Sequence, residues 1–127
     1  MKRRDINASN APQPAGGYSQ AVELTGATRI VLVSGQIPAA ADNKVPGDFE
    51  AQARLAWENL IAQLHAAYMT LDNLVKVTIF LSDRKYIPDY RRVRQEVLAG
   101  RKVALTTIIT GIFDEAWLLE IEGIAAA

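Results

Sequence analysis

The chain contains no cysteine, which excludes disulfides, thiolate nucleophiles, iron–sulfur clusters and cysteine-ligated zinc together. It has one histidine, His65, so a metal site built on several imidazoles is excluded and any histidine-dependent triad must use that residue. Charge of one sign is not in excess either: 14 Lys and Arg stand against 14 Asp and Glu. Such a chain lacks the basic surplus that releases counterions from phosphates, so no nucleic-acid partner is expected. Long apolar runs are missing. The nearly uncharged stretch Val103–Phe113 falls well short of the roughly 20 residues of a spanning helix, and no membrane partner is expected. The basic start Met1-Lys2-Arg3-Arg4-Asp5 is not followed by the apolar segment of a secretory signal. These absences predict a cytoplasmic protein with no metal and no other cofactor.

What is present suits a packed core. Apolar residues make up 50% of the 127 and charged residues 22%, a balance foreign to disordered chains. The length predicts a single domain over residues 1–127.

Ala11-Pro12-Gln13-Pro14-Ala15-Gly16-Gly17 predicts an extended entry, because Pro and Gly resist helix. Tyr18–Leu24 reads as a strand, Thr25–Thr28 as a turn, and the β-branched run Arg29–Ser34 as a second strand; the two are expected to form a hairpin. A loop over Pro38–Gly47 leads to Asp48, a plausible N-cap. Ala53, Trp57, Leu60, Leu64 and Ala67 then recur at steps of four and three, which predicts one buried helical stripe. Arg54, Glu58 and His65 fall on another face, so His65 reads as a surface residue.

Leu74–Ser82 alternates, with Val75, Val77, Ile79 and Leu81 on one face and Lys76, Thr78, Phe80 and Ser82 on the other. A second helix is predicted from about Ile87 to Leu98, with Pro88 in its first turn and Gly100 past its end. Tyr90, Val93 or Arg94, and Val97 share one side of it. Arg91-Arg92-Val93-Arg94, like Arg101-Lys102, reads as a solvated face. Val103–Thr110 is a strand apolar on both faces, and Trp117–Ala125 is the last strand. The order β-β-α-β-α-β-β makes an α/β (α+β) domain with two helices on one face of a mixed sheet. Strands apolar on both faces need cover on the other, and in so small a chain a second copy is the natural cover, so a homo-oligomer is expected.

Few residues invite chemistry. Glu120 and Glu122, two apart, share one face of the last strand, flanked there by Leu118 and Ile124. Two readings stand: a solvated strand face, or a partly buried carboxylate whose raised pKa suits general acid–base work. Ser34-Gly35-Gln36 closes the second strand, where a glycine either punctuates the strand or lets a ligand approach closely.

Read in order, short segments resemble the Rid family, also called YjgF, of enamine/imine deaminases. Gly17-Tyr18-Ser19-Gln20-Ala21 is similar to its first motif, with Gly17 in place of a proline. Val33-Ser34-Gly35-Gln36-Ile37-Pro38 is similar to the second. Asn59-Leu60 and Leu64, then Val75-Lys76-Val77-Thr78-Ile79-Phe80-Leu81, resemble the family's helix and following strand. Glu120-Ile121-Glu122-Gly123-Ile124-Ala125 resembles the terminal motif. The resemblance runs over roughly residues 11–125.

It implies a chorismate-mutase-like homotrimer with small-molecule clefts between subunits, in which a reactive imine or enamine is hydrolysed to a keto acid and ammonia. Glu120 is implied as the residue that orients or activates water, Tyr18 as a catalytic pocket residue, and Ser34 and Gly35 as substrate contacts. In the family an arginine clamps the substrate carboxylate within Pro-Ala-Arg-Ser. Here the corresponding run is Val103-Ala104-Leu105-Thr106-Thr107, with Leu105 at the arginine's place, Thr106 beside it and Thr107 where a cysteine is frequent. Arg91 falls near the place of a family asparagine. Losing one partner of a buried charge pair costs about 2–5 kcal/mol, so the usual imino acids should be handled poorly unless Arg91, Arg101 or Lys102 reaches the cleft. The resemblance therefore leaves three readings: a divergent deaminase, a non-catalytic ligand-binding or regulatory trimer, and a trimeric protein-interaction scaffold. The family also includes proteins described as ribonucleases, which a neutral chain without a histidine pair does not favour.

Overall fold

Asp48 starts the long helix as its sequence position suggests. Its backbone is extended and its carboxylate accepts the Ala51 N–H at 3.1 Å, satisfying one of the donors a helix N-terminus leaves free. The computed structural model describes residues 1–127 and gives α1 as Phe49–Ala66. Ala53, Trp57, Leu60 and Leu64 are buried along one stripe of α1, while Glu58 and His65 are exposed. The stripe rests on β3 (Ile30–Gln36) and β6 (Leu119–Ala126). At Gly123 of β6 a β-carbon would stand 3.3 Å from Leu60 Cδ1 of the helix and 3.1 Å from both Leu74 Cδ1 and the Lys76 carbonyl oxygen.

The four-stranded sheet runs β3-β6-β4-β5, with β4 at Leu74–Leu81 and β5 at Ala104–Ile109. β6 pairs antiparallel with both β3 and β4, and β4 pairs parallel with β5 through α2 (Ile87–Leu98). A parallel pair requires such a crossover. The alternation read in β4 is that of the structure: Val75, Val77, Ile79 and Leu81 are buried, and Lys76, Thr78 and Phe80 are only half-buried on the other face. In β6 Leu119, Ile121, Gly123 and Ala125 are buried in alternation, with Ala126 buried beside them at the strand's end, which leaves Glu120 and Glu122 on the face away from the helices.

The expected hairpin between the segments now labelled β2 (Ala21–Thr25) and β3 is not formed. β2 pairs instead with β1 (Lys2–Ile6), a strand the sequence pattern did not reveal, in the register Lys2↔Thr25 to Ile6↔Ala21. The turn is real, with Gly26 at φ +75°, but it delivers the chain elsewhere. The N–H groups of Thr28 and Arg29 both donate to the Ala127 carbonyl, at 2.9 and 3.0 Å. β3 is therefore captured at its first residues by the end of β6, where its apolar side chains find α1. β1 is polar, which hid it, and is held by Arg3, whose guanidinium donates to the carbonyls of Leu74, at 2.9 Å, and Lys102.

Two side-chain anchors set the loops around the sheet's open end. Buried Gln52 donates to the carbonyls of Pro46 and Ala116 and accepts the Leu118 N–H, at 2.8–3.0 Å. Asn59 donates to the carbonyls of Ile37 and Ala39, both at 2.9 Å. The first pins the approach to β6, and hence the position of Glu120; the second pins the exit from β3, just past Gly35.

Candidate functional site

β5 is an edge strand, and its residues alternate between two environments. Leu105, Thr107 and the half-buried Ile109 face α2, and Thr106 faces the opposite side, where its hydroxyl accepts from Lys76 Nζ at 2.8 Å. Between α2 and β5 lies a cavity of about 300 Å³, bounded by Tyr18, Tyr90, Arg91, Arg94, Leu105 and Thr107 among others. Tyr18 reaches it because the next residue, Ser19, bonds beside β5, its N–H donating to the Val103 carbonyl at 2.9 Å.

Arg94 is the residue that reading the sequence missed. Left between the side of α2 that carries Tyr90 and the solvated arginine face, and not counted among the site residues, it is 5% exposed. Its Nη1 donates to the Tyr90 hydroxyl at 2.7 Å, and its guanidinium carbon lies 5.2 Å from the Tyr90 ring centre. The Tyr90 and Thr107 hydroxyls are 2.5 Å apart. Tyr90 Oη, which accepts from Arg94, shares a further hydrogen bond with Thr107 Oγ1 in which either hydroxyl can donate. The signal available was the spacing: Arg94 follows Tyr90 by one helical turn, and Tyr90 was assigned to the inner side. Arg91, one turn of three before Arg94, is exposed at the cavity's rim. Arg101 points elsewhere, its Nε donating to Asp72 at 2.6 Å.

Glu120 and Gly35 meet at a different place. A β-carbon built on Gly35 would stand 1.9 Å from Glu120 Oε1 and 2.8 Å from its carboxyl carbon, so the carboxylate occupies space that only glycine leaves open. Around them a shallow cavity of about 360 Å³ includes Phe80, Glu122 and the loop over residues 110–113. No hydrogen bond or ion pair within the chain holds Glu120. Ser34 is exposed on β3, the other edge strand, and its carbonyl accepts from Gln36 Nε2 at 2.9 Å.

Within one chain the candidate residues thus form two groups. Tyr18, Arg91, Leu105 and Thr107 stand at the β5 edge, on the helix side. Ser34, Gly35 and Glu120 stand toward the β3 edge, with Glu120 on the helix-free face. That free face is conspicuously apolar in places: Leu32 is 74% exposed, and Ile30 and Ile108 are exposed as well.

Ion pairs outside the cavity lock α2 to α1. Glu50 accepts from Arg92 at 2.8 Å and from Arg54 at 3.0 Å, and Arg54 also reaches Glu96 at 2.7 Å. The Arg92 hydrogen bond first, and the Arg54 hydrogen bond second, hold the Glu50 carboxyl at a pKa of about 2, below its ordinary 4.5. A carboxylate depressed in the folded state contributes stability that is whole above the unfolded value and is lost as pH falls through the folded one. Glu50→Gln is therefore expected to flatten the melting temperature against pH between about 4.5 and about 2, and added salt to shrink the difference because the pair is exposed. Identical acid profiles for the two proteins at low salt would dismiss the network.

Comparison with known proteins bears on the family and the fold. A family model described as Endoribonuclease L-PSP matches residues 8–127. Protein DfrA of Myxococcus xanthus is 35% identical over 132 residues, covering all of this chain and 98% of that protein. A RutC family protein of Pyrococcus horikoshii is 36% identical over 124 residues, 94% of each chain. Among solved structures, YyfB of the Rid protein family from Yersinia pestis superposes with a TM-score of 0.85 over the whole of both chains at 22% identity, a likeness of fold. Escherichia coli TdcF, crystallised with bound serine, is 29% identical with a TM-score of 0.74, covering 98% of each chain.

Proposed function

Because the chain belongs to the Endoribonuclease L-PSP family, the Rid or YjgF family, we propose that it is a divergent enamine/imine deaminase, a hydrolase that releases ammonia from a small metabolite. The observation that carries this reading is the Glu120 carboxylate seated over Gly35 without a cationic partner, free to take a proton from water. In the proposed reaction Glu120 removes a proton from water as its oxygen adds to the carbon of a C=N bond. That proton passes to the nitrogen to give the neutral carbinolamine, whose hydroxyl proton then follows to the nitrogen as C=O forms, the C–N bond breaks and ammonia leaves. One imine and one water give one carbonyl compound and one ammonia.

The division of the candidate residues between two sheet edges supports an assembled site. Three copies arranged head to tail would bring the β5 edge of one beside the β3 edge of the next, joining Tyr18 and Thr107 to Ser34, Gly35 and Glu120 in each cleft. The exposed Ile30, Leu32 and Ile108 then find cover on the inner face. Size-exclusion chromatography with light scattering is expected to give the mass of a trimer. The serine bound by TdcF supports a small amino-acid-like ligand. No helix of the chain is long and apolar enough to cross a membrane, and the cytoplasm is the proposed compartment.

A second reading is favoured by Leu105, which lines the cavity with an aliphatic wall: a trimer that binds a small ligand for regulation without turning it over. The test generates 2-imino acids in situ and follows the appearance of keto acid and ammonia. Acceleration proportional to protein concentration is expected. A folded trimer that leaves the spontaneous rate unchanged, for 2-imino acids and for imines lacking a carboxylate, would select the binding reading instead.

A further inference from the structure

Arg94 combines features that rarely occur together without a ligand to explain them. It is 95% removed from solvent, since its relative exposure is 5%, yet its one side-chain partner within the chain is the neutral Tyr90 hydroxyl. The other arginines of α2 behave differently: Arg92 is paired with Glu50 and Asp89, and Arg91 is exposed. Buried cations are ordinarily matched by a carboxylate, because desolvation otherwise exceeds what neutral contacts return. The guanidinium donates one of its N–H groups to Tyr90, and Arg94 is among the residues that line the α2–β5 cavity.

Three further observations fix what the cavity would hold. The backbone passes close to the guanidinium at Gly16, where a β-carbon would lie 3.5 Å from Arg94 Nη2, and Gly16 has φ +133°. The segment before Tyr18 thus closes over the charge without a side chain to block it. The Thr107 hydroxyl, hydrogen-bonded to that of Tyr90, lines the same cavity and donates to a ligand when Tyr90 supplies the proton between the two. Leu105 and Ile109, on either side of Thr107 along the same face of β5, join Ile87 of α2 as the apolar part of the lining. One cation and a hydroxyl suit one planar monoanion with a short apolar remainder. A phosphate dianion finds no second buried cation here.

We propose that Arg94 is the anion anchor of the cavity between α2 and β5 and takes the carboxylate of a small 2-oxo or 2-imino acid, with Thr107 as second donor. The clamp that the resemblance would place on β5, at the position of Leu105, is supplied from α2. Leu105 becomes the wall for the ligand's apolar part rather than a vacancy in its recognition. This inference rests on reading the cavity as the substrate site of the proposed reaction, but binding reports on it without turnover.

The probes are 2-oxobutanoate, its uncharged amide and inorganic phosphate, titrated by calorimetry into the full-length protein. The acid is expected to bind at least about 10-fold more tightly than the amide or phosphate. Arg94→Met is expected to weaken the acid by about 30-fold or more, with little change for the amide, while Arg101→Met, on the surface, leaves both unchanged. Equal affinity for acid and amide, or an Arg94→Met protein that folds and binds the acid normally, would overturn the assignment. Should Arg94→Met fail to fold, a crystal of the wild-type protein with 2-oxobutanoate decides. Carboxylate oxygens within hydrogen-bond reach of Arg94 support it; a carboxylate held by Arg91 alone, or lying outside the cavity, overturns it. Imine turnover with an unchanged KM in Arg94→Met would remove the anchor and keep the reaction. Acid binding that depends on Arg94, in a protein without turnover, would keep the anchor and remove the reaction.

Discussion

Glu120→Gln is expected to lower the proposed release of ammonia from an imine generated in situ by about 100- to 10,000-fold, the span of a positioned general base. The amide has the shape of the carboxylate but cannot accept a proton from water. The fold should not register the change, because Glu120 makes no hydrogen bond or ion pair within the chain and is only half-buried; the melting temperature is expected to stay within a degree or two, as for surface substitutions of about 0.5 kcal/mol or less. Gly35→Ala provides an independent approach to the same group. Its methyl would enter the space of Oε1, 1.9 Å away, and the flexible carboxylate, rather than the backbone, must move. A drop in kcat with an intact melting curve is expected for both proteins. Wild-type kcat in Glu120→Gln, at any pH, would remove Glu120 from the chemistry.

Trp57→Ala is expected to cost about 3–5 kcal/mol, the range for truncating a large aromatic in a core. Trp57 is 1% exposed in the middle of the α1 stripe and belongs to the single cluster of buried residues that unites α1, α2 and the sheet. A domain of this kind is stable by about 5–15 kcal/mol, so this one substitution removes a large share of the total. Urea titration should show a midpoint far below the wild type with a similar slope. A loss under about 1 kcal/mol would mean that the helix–sheet contact is not where the stability resides.

The elements that were legible in the sequence share one property: their pattern is local. The four-three spacing of Ala53, Trp57, Leu60 and Leu64 fixed α1 and its buried side, and the alternation in β4 fixed which of its faces meets the helices. The Glu120-to-Ala125 run showed its carboxylates on one face for the same reason. What stayed hidden was non-local. Nothing in β2 or β3 says that Ala127 waits to accept the N–H groups of Thr28 and Arg29, so the shortest turn suggested a hairpin that the molecule does not make. β1 had no apolar pattern to show, because a two-stranded ribbon at the rim buries little.

Arg94 marks the same boundary within the site. One turn from Tyr90, it could be assigned to the inner side of α2 or to the outer, and composition alone favoured water. The sequence by itself determined the family, the two helices, the periodic faces of the sheet and the leucine at position 105, since motifs and periods of two or 3.6 residues are written along the chain. Only the tertiary structure decided which strands pair, that the candidate residues divide between two sheet edges, and that a guanidinium lies buried beside that leucine. Pairing and burial depend on segments that are distant along the chain and adjacent in space.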